Sequence, residues 1–223
     1  MIKNLKTVGI GGGTGLSTIL SGIKNFTNDI TAIVTVTDDG GSSGRLRQDY
    51  NMPPPGDIRN CIVSLAESDS LMPDLFQYRF KGKSGLGGHS FGNLFITAMT
   101  DITGSFAKGI LEASNILSIK GKVLPSTTEN VVLGAEFEDG SRVLGQTKIV
   151  NHPGFIKEVF LIPQEPQAYE GVVKACSQAD IIILGPGSLF SSIIPNLLVK
   201  GVAQAINKSK AVKIYICNIM TQP

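Results

Sequence analysis

The chain has 223 residues, of which 42% are hydrophobic and 17% charged, a composition typical of a folded globular domain with a full core. Its formal net charge of +2 is spread along the sequence, which argues against nucleic-acid binding, since that needs a clustered basic face. No apolar run approaches the roughly 20 residues that span a bilayer, and the amino terminus lacks the apolar segment of a signal peptide. We therefore expect a cytoplasmic protein without a membrane span.

Alternating apolar segments predict a βαβ unit at the start of the chain. A short strand covers Lys6 to Gly11, a helix begins at about Leu16, and a second strand covers Ile30 to Val36. The helix has apolar residues at the helical period of three and four. Because a helix connects the two strands, they are expected to pair in parallel.

Helices are predicted in the segment that follows. Asp57 comes after a proline-rich turn and is the candidate N-cap of the first helix. Two more helices are expected near Asn93–Met99 and Phe106–Leu117, the second capped by Ser105. The first of these three helices has its apolar face at Ile58, Cys61, Ile62 and Leu65.

A β-hairpin is predicted to interrupt this pattern, within an insert at about residues 122–163. Apolar and other residues alternate from Val131 to Phe137, and Asp139-Gly140 marks a tight turn. The stretch Arg142–Ile149 is expected to be extended again, and Lys157–Ile162 to add a third strand.

The α/β alternation then resumes. A helix is striped by Tyr169, Val172, Val173 and Cys176, and Ile181–Leu184 is typical of a strand buried on both faces. A helix around Leu197–Ile206 and a strand at Val212–Ile216 follow. Residues 1–223 are thus predicted to form a single doubly wound, mostly parallel, Rossmann-like α/β domain with a small antiparallel β insert.

The cysteines and histidines argue against a zinc site. The three cysteines form no CxxC pair, and two of them, Cys61 and Cys176, lie on apolar helix faces, where core packing is expected. Only His89 and His152 offer imidazole ligands, too few for zinc.

Four predicted strands end in loops of small and polar residues. Ligands of open parallel sheets bind at the carboxyl ends of the strands, so these loops predict a common crevice. The loops are Gly11-Gly12-Gly13-Thr14-Gly15, Asp38-Asp39-Gly40-Gly41-Ser42-Ser43, Gly185-Pro186-Gly187-Ser188 and Asn218-Ile219-Met220-Thr221.

The first loop can bring backbone N–H groups and a helix N-terminus onto an anion. It is neither a complete dinucleotide fingerprint, because Leu16 stands where the third glycine belongs, nor a Walker loop. The alternative is a tight turn without a ligand. Asp38, about twenty residues further on, stands where an acid that binds ribose is expected.

Other residues are candidates for ligand binding, but each of them also has an ordinary structural role as the alternative. Arg45 and Arg47 can reach a phosphate or belong to a solvated loop. Asp57 is a ligand group or a helix cap. Arg59 and Asn60 lie in a first helical turn, where a cation opposes the dipole and indicates an anionic partner.

His89 is the one plausible imidazole acid or base outside the hairpin, although Ser90 alone explains the capping of the next helix. Residues Gly185 to Ser188 form a second anion-binding candidate or a bare turn. No metal-ligand cluster occurs, but Asp38 and Asp39 can hold a magnesium ion that is carried by phosphates.

Taken together, these stretches resemble the gluconeogenesis factor family, a branch of the 2-phospho-L-lactate transferase (CofD-like) superfamily. The resemblance rests on segments in the same order along the chain. They are Gly11–Ser17, Thr37–Arg47, Pro54–Asn60, Gly88–Leu94, Gly185–Phe190 and Cys217–Pro223.

The resemblance implies a cytoplasmic bacterial protein needed for growth on gluconeogenic carbon sources, with effects on cell shape and wall synthesis. It implies binding of a UDP-sugar, another nucleotide-sugar or a dinucleotide, and possible partners among wall-synthesis proteins or in a homo-oligomer. Relatives continue beyond Pro223. The ligand-binding residues that the sequence and the resemblance nominate are Gly11, Gly12, Gly13, Thr14, Gly15, Asp38, Asp39, Ser42, Ser43, Arg45, Asp57, Arg59, Asn60, His89, Asn93, Gly185, Gly187 and Ser188.

The superfamily also offers a second hypothesis. Its transferase branch moves a phospholactyl group from a nucleotide diphosphate to a deazaflavin with magnesium. That branch carries an acid at the position of Arg59, which favours a binding or regulatory role for this chain over catalysis.

Overall fold

A computed structural model describes residues 4–67, 71–83 and 85–220. Its main sheet has five parallel strands in the order β3-β2-β1-β7-β8. A second, antiparallel sheet has the order β5-β4-β6. The strands are β1 (Thr7–Gly11), β2 (Ile30–Val34), β3 (Lys122–Pro125), β4 (Val132–Phe137), β5 (Arg142–Leu144), β6 (Ile156–Ile162), β7 (Ile181–Leu184) and β8 (Val212–Tyr215).

Helices cover both faces of the main sheet, as expected for a doubly wound fold. They are α1 (Gly13–Ile23), α2 (Gly41–Tyr50), α3 (Gly56–Leu65), α4 (Met72–Gln77), α5 (Phe91–Thr103), α6 (Phe106–Ile116), α7 (Gln146–Asn151), α8 (Glu170–Gln178), α9 (Ile194–Leu198) and α10 (Val202–Lys208), with a π-helical turn at Leu189–Ile193. The predicted α/β fold with a small antiparallel sheet is confirmed.

Two hydrophobic cores lie on opposite faces of the sheet. Neighbouring strand residues point to opposite faces, so Ala32 of β2 joins one core and Ile33 the other. The first core lies under α1, α3, α5 and α6, and the second under α8, α10 and the antiparallel sheet. The predicted core cysteines Cys61 and Cys176 are both buried.

The β insert is smaller than expected and includes a helix. Lys122–Pro125 pairs in parallel with β2, so this segment belongs to the main sheet and the insert begins after it. The stretch Arg142–Ile149 is extended only as far as Leu144, and α7 follows. The reason is a distant contact, because Asp39 accepts hydrogen bonds from the first turn of α7.

Other boundaries differ from the sequence prediction. The stretch expected to form a loop around Ser42 and Arg45 is helix α2. Asp57 lies inside the first turn of α3, whose N-cap is Pro55, so the expected capping role is wrong. The helix expected at Leu197–Ile206 is two helices, because Gly201 has a positive φ of 98° between them. Thr221, Gln222 and Pro223 of the last predicted motif lie outside the described residues.

Candidate functional site

A cleft of about 420 Å³ opens at the carboxyl ends of β1 and β7. The first turn of α1 forms one wall and the loop after β7 forms the other. Since β1 and β7 are adjacent parallel strands, both loops emerge at the same edge of the sheet. The lining residues are Gly12, Gly13, Thr14, Gly15, Asp57, Gln146, Pro186, Gly187, Ser188, Ser192 and Asn218.

Glycines allow these two walls to approach each other. A Cβ on Gly15 would overlap the carbonyl oxygen of Pro186. A Cβ on Gly12 would lie 2.8 Å from Ser192 Oγ, closer than van der Waals contact allows. The predicted glycine loops therefore pack directly on each other, and their close packing gives the cleft its shape.

Asp57 places a carboxyl group at the N-terminus of α1. It accepts a hydrogen bond from the backbone N–H of Gly13, on a helix whose N-cap residue makes no side-chain capping bond. Burial, followed by the charge of the neighbouring Asp38 carboxylate, raises the pKa of Asp57 from 3.8 to about 7, against the opposing effects of Gly13 and Arg59. This group therefore exchanges its proton near neutral pH.

Asp38 and Asp39 face different neighbours. Asp39 accepts hydrogen bonds from Thr147 N at 2.8 Å and Thr147 Oγ1 at 2.6 Å. Asp38 Oδ1 accepts one from Gly40 N at 3.0 Å, and its charge acts on Asp57. Asp57 is thus the carboxyl group that lines the crevice, and Asp38 acts on it through its charge, whereas the sequence suggested a pair of Asp38 and Asp39.

A buried polar network lies behind the crevice. Ser42 Oγ lies 2.9 Å from His89 Nδ1 and accepts a hydrogen bond from Asn93 Nδ2 at 3.1 Å. Burial, followed by the nearby charge of Arg45, lowers the pKa of His89 below 6.5. Both effects favour the neutral imidazole. None of these three side chains lines the cleft. The network therefore has a structural role, in which the hydrogen bond from Asn93 to Ser42 joins α5 to α2.

Arg59 also points away from the cleft. Its Nη1 donates to Ser90 Oγ at 2.5 Å, and its Nη2 donates to Asn60 Oδ1 at 2.7 Å. Burial, followed by the charge of Arg79, lowers the pKa of Arg59. This arginine therefore joins α3 to the N-terminus of α5. It does not line the crevice, and its positive charge lowers the pKa of Asp57.

The remaining predicted residues do not line the crevice. Ser43 packs against Gly56, and Arg45 donates to the Gly87 carbonyl at 2.8 Å on an exposed surface. The carbonyl of Gly11 is used inside the fold by Thr35 N and Asn196 Nδ2. Gly185, at a φ of 86°, packs beneath the cleft against the backbone of β8's end.

Four lining residues were not among the predicted site residues, and one of them, Pro186, belongs to a loop that was predicted to face the crevice. Gln146 comes from the insert, Ser192 from the π-helical turn, and Asn218 donates to the Gly187 carbonyl at 2.8 Å. The loop of Asn218 was predicted to face the crevice, so a signal existed for that residue. Nothing local in the sequence marks the other two, because the long-range packing of the insert and an irregular helix turn place them.

Comparison with known proteins identifies the family. The family model described as "2-phospho-L-lactate transferase CofD" matches residues 7–223. The chain belongs to the CofD family. Proteins named "Gluconeogenesis factor" from Bacillus subtilis and Halalkalibacterium halodurans are 52% and 51% identical over 96% and 99% of this chain, and 67% and 69% of their own lengths are covered.

A solved crystal structure of a relative has the same fold as this chain. The crystal structure of a Bacillus halodurans protein superposes with a TM-score of 0.96 at 51% identity, over 99% of this chain and 71% of that one. A relative from Nostoc sp. is 55% identical over 223 residues. The CofD-family chain described here spans 49% of the length of that relative.

Two further observations concern membranes and metals. In the described ranges, no helix has both the length and the apolar character that crossing a bilayer requires. Within the same ranges, no three His, Cys, Asp or Glu side chains converge as a metal-binding group.

Proposed function

We propose that this CofD-family chain binds the diphosphate of a nucleotide-sugar, with a UDP-sugar as the leading candidate, in the crevice between α1 and the loop after β7. The observation that carries the proposal is the contact between two glycine loops at the ends of adjacent parallel strands. Glycine loops that open onto a helix N-terminus bind phosphate through backbone N–H groups. Ser188, Ser192 and Thr14 add hydroxyl groups that can bond phosphate or sugar oxygens.

The carboxyl groups at the crevice set conditions on an anionic ligand. A phosphate that enters beside Asp57 is bound more tightly when Asp57 is protonated, or when a cation offsets its charge and that of the nearby Asp38. Magnesium typically uses one or two carboxylates together with ligand phosphates, and Asp38 with Asp57 fits that donor set. When bound there, magnesium would neutralise charge between the carboxylates and the diphosphate.

The biological role follows from the relatives. Their printed name is "Gluconeogenesis factor", so we propose that this chain belongs to a regulator required for growth on gluconeogenic carbon sources. Effects on cell shape, through contact with wall-synthesis proteins, are part of the same proposal. A binding role suits a crevice in which backbone amides and hydroxyls outnumber groups that titrate near neutral pH.

Calorimetric titration with UDP-glucose, with and without magnesium, tests the binding proposal. Gly15→Ala should abolish binding, because the added methyl group collides with Pro186. Gly22→Ala, on the same helix, is the matched control, since a Cβ added at Gly22 would have no neighbouring heavy atom within 4 Å. Failure of the parent chain to bind UDP-glucose in either condition would refute the proposal, as would equal binding by a folded Gly15→Ala variant.

The alternative function is phospholactyl transfer, and one observation favours it. The pKa of Asp57 lies near 7, which suits a group that accepts a proton from an attacking hydroxyl. Incubation with magnesium, a phospholactyl-nucleotide donor and a deazaflavin acceptor, followed by mass spectrometry, tests it. Product formation that Asp57→Asn abolishes would establish the transferase, and product no higher than in a protein-free control would exclude this donor and acceptor pair.

A further inference from the structure

A second cavity, of about 610 Å³, lies between α2 and the β insert. One residue of α7 separates it from the crevice, because Gln146 lines the crevice while Gly145 and Thr147 line the second cavity. Thr147 and Asp39, which are joined by hydrogen bonds, both line the second cavity and not the crevice. The two spaces are therefore adjacent, and each has its own lining.

Arg47 is the feature of this cavity that indicates a ligand. It lines the cavity, yet the residue as a whole is only 7% exposed. Its Nη2 donates to the Val131 carbonyl. The charges of Asp39 and Asp38 act favourably on Arg47, but burial has the larger effect, and Arg47 is in none of the ion pairs within 4.0 Å among the described residues. A buried guanidinium without a direct ion pair favours binding of an anion, because burial raises the energetic cost of its charge.

The other charges in the lining favour the same conclusion. Lys148 adds a second cation from the opposite wall. Asp39 is the one carboxylate of the lining, and its Oδ1 already accepts two hydrogen bonds from Thr147. Two cations from separate elements suit a dianion better than a monoanion.

The neutral part of the lining suits a hydroxyl-rich molecule. Gln48, Asn51 and Asn130 contribute amide groups that can both donate and accept hydrogen bonds. Asn51 and Asn130 are bonded to each other at 3.1 Å, so they form one fixed amide surface. Val132 and Leu144 supply apolar contact.

We propose that the cavity between α2 and the β insert is a second ligand site that binds a phosphomonoester of a sugar or polyol, with Arg47 and Lys148 on the phosphate and the amide groups on the hydroxyls. This site is separate from the nucleotide-sugar crevice and does not depend on it. The two ligands bind at the same time.

Calorimetric titration with glucose 6-phosphate, glucose and gluconate tests the chemistry. We expect saturable binding of glucose 6-phosphate and at least about tenfold weaker binding of the other two, since one lacks the anion and the other is a monoanion. Equal binding of gluconate would overturn the phosphate assignment. No binding of glucose 6-phosphate at millimolar concentration would overturn the site itself.

Variants on α2 and at the rim test the location. Arg47→Gln should weaken glucose 6-phosphate binding at least about tenfold, and Arg47→Lys less, because it keeps the charge and loses the fork. Lys148→Ala, at an exposed residue, should weaken binding several-fold. Arg45→Ala is the matched control, because this arginine lies on the same helix, faces Gly87, and should leave affinity unchanged. Equal affinity in Lys148→Ala and in a folded Arg47→Gln variant would refute the location.

Repeating the titration with UDP-glucose present separates this proposal from the proposed function. Unchanged affinity for glucose 6-phosphate is expected if the sites are distinct. Complete competition would show a single shared site and overturn the inference. If UDP-glucose does not bind at all, the glucose 6-phosphate titrations of the parent chain and of the Arg47 and Lys148 variants still test the second site.

Discussion

Removal of the Asp57 charge should change how stability depends on pH. In the folded chain the pKa of Asp57 is raised from 3.8 to about 7 by burial and by Asp38. Between these two values the folded state holds a proton that the unfolded state has lost, so stability falls as pH rises through this window and is level above it. The difference amounts to about 4 kcal/mol, from about 1.4 kcal/mol for each pKa unit.

Asp57→Asn should therefore be more stable relative to the parent chain at pH 8 than at pH 4, by roughly that amount. An amide keeps the size of the side chain and can still accept the hydrogen bond from Gly13. Urea unfolding of both chains at pH 4, 6 and 8 measures the difference. In an Asp38→Asn background this pH-dependent difference in unfolding free energy should be smaller, because the substitution removes the repulsion that helps raise the pKa of Asp57.

Asp74→Asn is the matched control for this experiment. It changes another aspartate in a first helical turn, one that lines no part of the crevice. Its pH profile should run parallel to that of the parent chain. Parallel profiles for Asp57→Asn and the parent, to within about 0.5 kcal/mol, would refute the reasoning, because a raised pKa requires them to diverge.

Other substitutions test the surrounding contacts. Gly13→Val should lower both stability and nucleotide-sugar binding, since its Cβ would overlap the Asp57 carboxyl; full stability in urea would contradict this. Arg59→Ala should cost about 1–3 kcal/mol in urea unfolding, because Asn60 Oδ1 loses its donor and Ser90 Oγ keeps only the hydrogen bond from Asn93 N; a smaller loss would show that Asn60 finds another partner. Without magnesium, UDP-glucose should bind more tightly at pH 6 than at pH 8, and Asp57→Asn should remove the difference in calorimetry; a persistent difference would assign it to another group.

Four of the five strands of the main sheet could be predicted because they carry their own signal, whereas the β3 segment was assigned to the insert. Ile181–Leu184 is a continuous apolar run, and β7 covers the same residues. Helix α2 could not, because its buried face is polar and includes Ser42, Ser43 and Arg47. An amphipathic helix is recognised in a sequence by apolar residues at helical spacing. Helix α2 lacks this pattern, because Leu46 is its one buried aliphatic side chain.

The same distinction applies to the crevice. Glycines at strand ends predicted both of its walls, because the requirement for close approach is local and visible in the sequence. The partner of Asp38 was not predictable, since Asp39 is turned away by Thr147, which is 108 residues distant along the chain. Ser192 was missed for another reason: it reaches the cleft from a π-helical turn, and no local sequence pattern marks that irregular turn.

Backbone amide NMR during titration with UDP-glucose tests the central proposal most directly. If the diphosphate lies between the two glycine loops, the amide resonances of Gly12, Gly13, Gly15 and Gly187 should shift together and saturate with one affinity. Amides around Arg47 and Lys148 should stay unchanged. Saturating shifts centred on α2 and the β insert, or no shifts at millimolar UDP-glucose, would contradict the assignment of the crevice as the nucleotide-sugar site.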